Sequence, residues 1–428
     1  MRPPSPRHAL RRALLGATLA LAVVALPAGA DSGDVANDAG LQWNLGRIGA
    51  EEAWAAGTGE GTTIAVVDSG VALEHEDLVT KLEPGVACRD TGGDPARCTG
   101  SPADDDGHGT HVAGVAGAAT GNGLGVAGAA PGARIIPVKV LFRACDTCQS
   151  TGEAEDVSAA VRWAADHGAT VINLSLGSTT SSVFGEGFAE AVRYAWDRGS
   201  IPVVAAGNDY VLTADLGDAP AVVVSATNRD DLAPEYSNGV GDARWAVSAP
   251  GGDGSDTPES CSQQGEPRGI LSAYWSAADA TGAYACLSGT SMAAPHVSAA
   301  LAVLRGVGLP PAVAVQRLLD TAVDLGDPGA DAMFGAGRLD LAAAVAGAGA
   351  AVPASSPDAA TPPTSAAPPA GADPPAEGAV PDPQLFDVDD AGDDPPLPLV
   401  LFAGALLAAT GSASTAALAG ARVRGRRR

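Results

Sequence analysis

Lysine is nearly missing from this chain of 428 residues: Lys81 and Lys139 are the only two, and the formal net charge is −25. A globular body this acidic is not built to hold nucleic acid, so no nucleic-acid partner is expected. The arginines clustered at the two ends of the chain read as membrane-topology signals. Charge of either sign is missing from Leu397 to Ala421. A second C-x-x-C is missing as well, so Cys145-Asp146-Thr147-Cys148 lacks the other half of a zinc site and a disulfide is favoured over zinc or redox use. Apolar periodicity is missing from about Ala351 to Pro396, a stretch of Pro, Ala, Ser, Thr and Asp that cannot build a core and reads as an extended, disordered spacer.

What is present divides the remainder. Residues 1–30 have the form of a secretory signal: Arg2, Arg7, Arg11 and Arg12 in front, an apolar run from Ala13 to Leu26, and Ala28-Gly29-Ala30 as an A-x-A cleavage site. The apolar run is short for a membrane anchor, and the surroundings of Arg11-Arg12 match a twin-arginine signal poorly, which favours the Sec route. Residues 31–41 form a short N-terminal extension, residues 42–348 one large folded body, and residues 351–396 the spacer. Residues 397–421 are long enough to span a bilayer, and residues 422–428, with Arg422, Arg424, Arg426, Arg427 and Arg428, form a basic tail expected to stay cytoplasmic. The folded body is therefore expected outside the membrane. Export makes the six cysteines readable as disulfides, and nearness in the chain favours Cys88 with Cys98, Cys145 with Cys148, and Cys261 with Cys286.

Within the body, apolar β-branched runs alternate with helical patterns. Strands are expected at Thr63–Asp68, Arg134–Leu141, Thr170–Leu176, Pro202–Ala206 and Ala221–Thr227, and helices at His108–Ala118, Ala154–Asp166, Gly187–Asp197 and Ser291–Leu304. This alternation predicts an α/β fold with a mostly parallel central sheet and helices on both faces. Chemistry in such sheets gathers beyond the carboxyl ends of the strands. Asp68 ends one strand pattern, and Asn208, in Val204-Ala205-Ala206-Gly207-Asn208, ends another. His108 opens a helix in His108-Gly109-Thr110-His111-Val112-Ala113-Gly114. Ser291, in Gly289-Thr290-Ser291-Met292-Ala293-Ala294-Pro295-His296-Val297, falls on the first turn of a helix, where free N–H groups favour developing negative charge. A lone Asp, His or Ser is usually structural; these occur as a constellation.

Those motifs, in the order Asp, His, Ser, resemble the subtilisin-like serine proteases over about Gln42 to Val345. The resemblance implies a subtilisin-like fold and a serine endopeptidase with a polypeptide substrate and no cofactor required for the chemistry. It implies Ser291 as nucleophile, His108 as general base, Asp68 as the group orienting it, and Asn208 as oxyanion donor. Ser175-Leu176-Gly177 and Ser150-Thr151-Gly152 are similar to the segments that pair with substrate backbone, while Asp209–Pro220, with Asp215 and Asp218, departs from the family and leaves the P1 preference open. The resemblance also implies a structural Ca²⁺ held by Asp77 and Asn122 side chains and by the Thr120, Leu124 and Val126 carbonyls, with Gln42 as an added ligand; a Gly-rich surface turn is the alternative reading. Many secreted relatives carry a longer prodomain than residues 31–41 can hold. The layout of signal, protease, spacer and anchor resembles the mycosins, membrane-bound subtilases of type VII secretion systems, which implies secretion-complex partners and, as the alternative function, a scaffold in which proteolysis is secondary.

Overall fold

The computed structural model describes residues 34–38, 40–145, 148, 150–176, 186–208, 218–254 and 267–348. The expected signal, spacer, membrane span and basic tail lie outside these residues, as do Gly177, Asp215 and Cys261. In chain order the strands are β1 (Thr63–Asp68), β2 (Val86–Ala87), β3 (Arg134–Lys139), β4 (Phe142–Arg143), β5 (Ser150–Thr151), β6 (Val171–Leu174), β7 (Ile201–Ala205), β8 (Val222–Thr227), β9 (Trp245–Pro250), β10 (Ile270–Ser276) and β11 (Asp279–Leu287). The helices are α1 (Val35–Asp38), α2 (Trp43–Ile48), α3 (Ala50–Trp54), α4 (His108–Gly117), α5 (Ala154–Asp166), α6 (Glu186–Asp197), α7 (Thr290–Gly306), α8 (Pro311–Asp320) and α9 (Leu341–Val345).

Seven strands form one sheet in the order β2-β3-β1-β6-β7-β8-β9, and all its pairings are parallel. Strand β1 shows why the sheet is covered twice. Its period of two sends Ile64 and Val66 into one buried cluster, shared with α4 and α7, and Ala65 and Val67 into another, shared with α5 and α6. The expected parallel sheet with helices on both faces is thus the observed fold. The chain leaves β1 toward β3 on one side and then returns to β6 on the other, so the sheet reverses its direction of growth between β1 and β6. A crevice at the carboxyl ends of those two strands follows from the reversal.

The boundaries differ where side contacts compete with the ladder. The strand expected over Arg134–Leu141 stops at Lys139, because the Val140 and Leu141 N–H groups both turn to the Asp68 carbonyl. The strand expected through Leu176 stops at Leu174, and Ser175 leaves the sheet for α7. Strand β9, the antiparallel hairpin β10–β11 and helix α8 were not expected from the sequence. The hairpin packs on α4, and a single glycine permits the contact: a Cβ on Gly114 would lie 2.3 Å from Ser272 Oγ and 3.0 Å from Ala273 Cβ.

Two of the expected disulfides are formed, Cys88–Cys98 and Cys145–Cys148. Cys286 is disulfide-bonded, while its expected partner Cys261 is not among the described residues. Beyond the carboxyl end of β8, Asp231 pairs with Arg47 at 3.2 Å and with Arg338 at 2.9 Å, and Arg338 also donates to the Arg47 carbonyl. This cluster fastens α2 to the loop after β8 and to the segment leading into α9.

Because Gly114 touches backbone and a short side chain rather than a flexible tip, Gly114→Ala is expected to destabilise the body by about 1–3 kcal/mol. Thermal unfolding should show a midpoint lowered by several degrees. An unchanged midpoint would mean that the hairpin does not sit on α4 this closely.

Candidate active site

Three elements, β1, α4 and α7, carry Asp68, His108 and Ser291. Strand β1 ends in Asp68, which is fully buried, and α4 begins with His108. His108 Nδ1 lies 2.8 Å from Asp68 Oδ1, and the same oxygen accepts the Ser69 N–H at 2.7 Å. The approach of helix to strand depends on Gly109, where a Cβ would meet the Gly70 carbonyl at 2.2 Å. With Nδ1–H given to the carboxylate, the free lone pair of a neutral imidazole is at Nε2. His108 Nε2 is buried and makes no hydrogen bond among the described residues.

Burial works against the charged form of His108, but the charge of Asp68 and its hydrogen bond outweigh it, with Asp106 and Asp104 adding. The pKa is raised from 6.5 to about 9. The neutral form that can act as a base is therefore favoured only at alkaline pH. By contrast, burial lowers His111 to about 3, and its Nε2 sits 2.9 Å from the Ile270 carbonyl.

Ser291 stands in the first turn of α7 and is 5% exposed. Its Oγ donates to the Ser175 carbonyl at 3.4 Å rather than to His108. The backbone of this turn is fixed by a bond that a regular helix lacks. Pro295 has no N–H to give to the Ser291 carbonyl four residues back, and Ser175 Oγ occupies that carbonyl instead at 2.8 Å. Asn173 Nδ2 donates to Ser175 Oγ, and Ser298 Oγ to Asn173 Oδ1, so α7 is bolted to the end of β6.

Asn208 is oriented just as firmly. Its Oδ1 accepts the Thr290 N–H at 2.9 Å and the Thr290 hydroxyl at 3.1 Å, which assigns Nδ2 to the other side. The position where a Cβ of Gly289 would stand is 3.4 Å from Asn208 Nδ2 and 3.6 Å from the Ser291 backbone nitrogen. Two donors thus flank one small space beside the serine, the arrangement suited to a developing oxyanion. Thr290, Ser175, Asn173, Ser69 and the run Asp104-Asp105-Asp106 were not singled out from sequence for these positioning contacts. Thr290 and the aspartates lie next to motif residues, but their roles depend on partners far away in the chain.

The edges expected to pair with substrate are in part structured. Ser175 and Leu176 follow β6 and are buried, while Gly177 is not described. Ser150 and Thr151 form β5, paired with β4, and Gly152 follows. Asp106 Oδ2 accepts both Ser150 Oγ at 2.7 Å and Arg143 Nη2 at 2.8 Å, tying both strands of this hairpin to the segment before His108. The Cys145–Cys148 disulfide closes the hairpin. Asp218 is exposed.

Among the described residues no cluster of three or more His, Cys, Asp or Glu side chains is assembled for a metal. The expected calcium loop has a different donor set. Asp77, fully buried, accepts from Asn122 Nδ2 at 2.8 Å, Val126 N–H at 2.9 Å and Tyr284 O–H at 2.9 Å, all neutral donors. Asn122 therefore presents nitrogen to Asp77, and only the amide turned over would present oxygen. The amide of Gln42, expected as an added ligand, is paired in both directions with the Ala127 backbone. A second buried carboxylate, Asp34, accepts the Gly121 N–H of the same loop, and Thr120 Oγ1 is buried without a partner. The Thr120, Leu124 and Val126 carbonyls accept no hydrogen bond among the described residues. Two carboxylates, free carbonyls and a stranded hydroxyl form an all-oxygen set that fits Ca²⁺.

Comparison with known proteins agrees with this geometry. The pattern described as the subtilase family matches residues 59–337. Thermitase from Thermoactinomyces vulgaris is 36% identical over 271 residues, covering 62% of this chain and 83% of thermitase. Subtilisin Savinase from Lederbergia lenta is 33% identical over 311 residues, covering 71% of this chain and 98% of that protein. A solved protease structure from Pseudoalteromonas arctica superposes with a TM-score of 0.59 at 30% identity, over 72% of this chain and 97% of its own. With a parallel sheet of the right order, a buried Asp–His pair at its switch point and the family pattern across most of the described body, the chain belongs to the subtilase family and is a serine endopeptidase.

Proposed function

We propose that Ser291, His108, Asp68 and Asn208 carry peptide-bond hydrolysis in an exported protease held at the outer face of a membrane by one C-terminal span. The observation that carries the catalytic assignment is the 2.8 Å contact of His108 Nδ1 with the buried Asp68. It fixes the tautomer that leaves Nε2 to act as a base. Ser291 Oγ swings from the Ser175 carbonyl to His108 Nε2, loses its proton there and attacks the substrate carbonyl carbon. The oxyanion is received by Asn208 Nδ2 and the Ser291 N–H, and the imidazolium returns the proton to the leaving amine. Water then repeats the sequence on the acyl-enzyme, releasing the acid and restoring Ser291. The substrate lies as an added strand between the Ser175-Leu176-Gly177 and Ser150-Thr151-Gly152 edges, so its backbone is read first.

A Ca²⁺ bound by Asp34, Asp77 and the Thr120, Leu124 and Val126 carbonyls, with Asn122 turned over, would neutralise buried carboxylates and stiffen the loop; the chemistry makes no use of it. Export and anchoring are supported by the sequence of residues 1–30 and by the uncharged run 397–421 with arginines behind it. No helix among the described residues is long and apolar enough to cross a membrane. The mycosin-like layout supports a place beside a secretion complex. The intact, buried Asp–His pair favours catalysis over a scaffold role.

Three outcomes are expected. A serine-directed fluorophosphonate should label the native protein but not Ser291→Ala, and His108→Ala should slow labelling by about 10²–10⁴-fold. Since His108 works only when neutral and its pKa is raised to about 9, native labelling should accelerate by about tenfold or more from pH 7 to pH 9. Full labelling of the His108→Ala protein would remove His108 from its role.

Protease added outside intact cells should release the folded body by cutting within residues 351–396 and leave the arginine tail protected. Recovery of the whole chain in a salt wash would exclude the span.

The Cys145–Cys148 disulfide holds a hairpin that lines the substrate edge, so Cys145→Ser with Cys148→Ser should broaden cleavage of a peptide library while shifting the melting midpoint by less than about 2 °C. An unchanged library profile with a large loss of stability would make the clip structural only.

A further inference from the structure

Lys139, one of the chain's two lysines, is 4% exposed beside the Asp68–His108 pair and is itself no part of the expected constellation. It ends β3 in register with Asp68 on β1. Its Nζ donates to the Ser69 carbonyl, to Asp105 Oδ1 at 2.7 Å and to the Leu141 carbonyl at 2.8 Å. All three ammonium hydrogens are thereby used.

Ser69 is the hub of this arrangement. Its N–H donates to Asp68 Oδ1, the oxygen that also receives His108. Its Oγ accepts the Gly109 N–H at 2.9 Å and donates to Asp104 Oδ1 at 2.9 Å. Its carbonyl goes to Lys139. Every polar group of Ser69 is therefore held, and the holders, Gly109, Asp104 and Asp105 through Lys139, all flank His108 in sequence. Asp104 is further occupied by the Gly107 and Thr110 N–H groups, which places the start of α4 against the same hub.

We propose that Lys139 is a positioning residue for acyl transfer: acting through Ser69 and Asp105, it sets where the Asp68 carboxylate stands relative to the His108 ring. A buried ammonium is a poor device for stability alone, since its desolvation is costly and an apolar side chain packs as well. It is a good device for geometry, because three short bonds aimed at two strand ends and one loop leave the Asp68–Ser69 peptide a single orientation. Small displacements of catalytic groups are costly: about 1 Å lowers a rate by about 10²-fold. The predicted signature is a loss in turnover without a loss in substrate binding.

The inference rests on the assignment of Asp68 and His108 made above, whose failure would appear separately as full labelling of the His108→Ala protein. The test is the kcat and KM of the full chain, per active site titrated with fluorophosphonate to completion, on a chromogenic peptide that the native protein cleaves. Lys139→Met should lower kcat by about 10–100-fold with KM held within about threefold. Asp105→Ala, at a carboxylate with 43% of its side chain exposed, keeps the fold available if Lys139→Met does not fold. It should lower kcat by about threefold or more, and Asp105→Asn, which keeps an oxygen toward the ammonium, should recover most of that loss. A kcat within about twofold of native in the folded Lys139→Met protein, or a rise in KM at constant kcat in either variant, would overturn the proposal. If only Asp105→Ala folds, a fall in kcat of less than about threefold would do the same.

Discussion

The arrangement of this protease depends on one buried charge. Asp68 is fully buried at the end of β1, and a carboxylate removed from water survives only where donors replace the water. Ser69 and His108 supply those donors on one oxygen. The helix that begins at His108 cannot shift without leaving the buried carboxylate short of a donor, so the contact that satisfies Asp68 also fixes the base. Against its burial, the charge and hydrogen bond of Asp68 raise the pKa of His108.

Sheet topology explains why the serine arrives at this place. Growth of the sheet in opposite directions from β1 and β6 opens the crevice, and α7 crosses it because its first turn is tied to the end of β6 through Ser175, Asn173 and Ser298. The proline in α7 is part of that tie: its missing N–H leaves a carbonyl that the neighbouring strand end takes. Asn208, at the end of the next strand, is turned by Thr290 so that its amide hydrogens face the space beside Ser291.

Much of this was legible in the chain. Asp68 closes a buried apolar run, His108 opens a helix of small residues and Ser291 follows a glycine at a helix start; each of those signals is local, and each element formed where expected. The misreadings share a cause. Strand Arg134–Leu141 was read two residues too long because the Asp68 carbonyl, some 70 positions away, captures Val140 and Leu141. Gln42 looked like a cation ligand by resemblance, yet its amide closes on Ala127. Asp34 was passed over because its partner loop begins 87 residues later. The hydroxyl direction of Ser291 and the hub at Ser69 likewise follow from contacts between distant segments, to which neither periodicity nor motif spacing gives access.

The Asp231 cluster also governs the order in which the body can be completed. Arg338 reaches back to the Arg47 carbonyl, 291 positions earlier, and α3 packs against α9. The first helices meet Ala127 and Ala129 early, through Gln42 and Trp54, but their packing is complete only when nearly the end of the described body has been made. Contacts of such long range enforce slow, late closure, and the side of α3 that meets α9 stays uncovered through most of synthesis. A growing chain of this protein therefore carries an unfinished seam at its beginning until its end arrives.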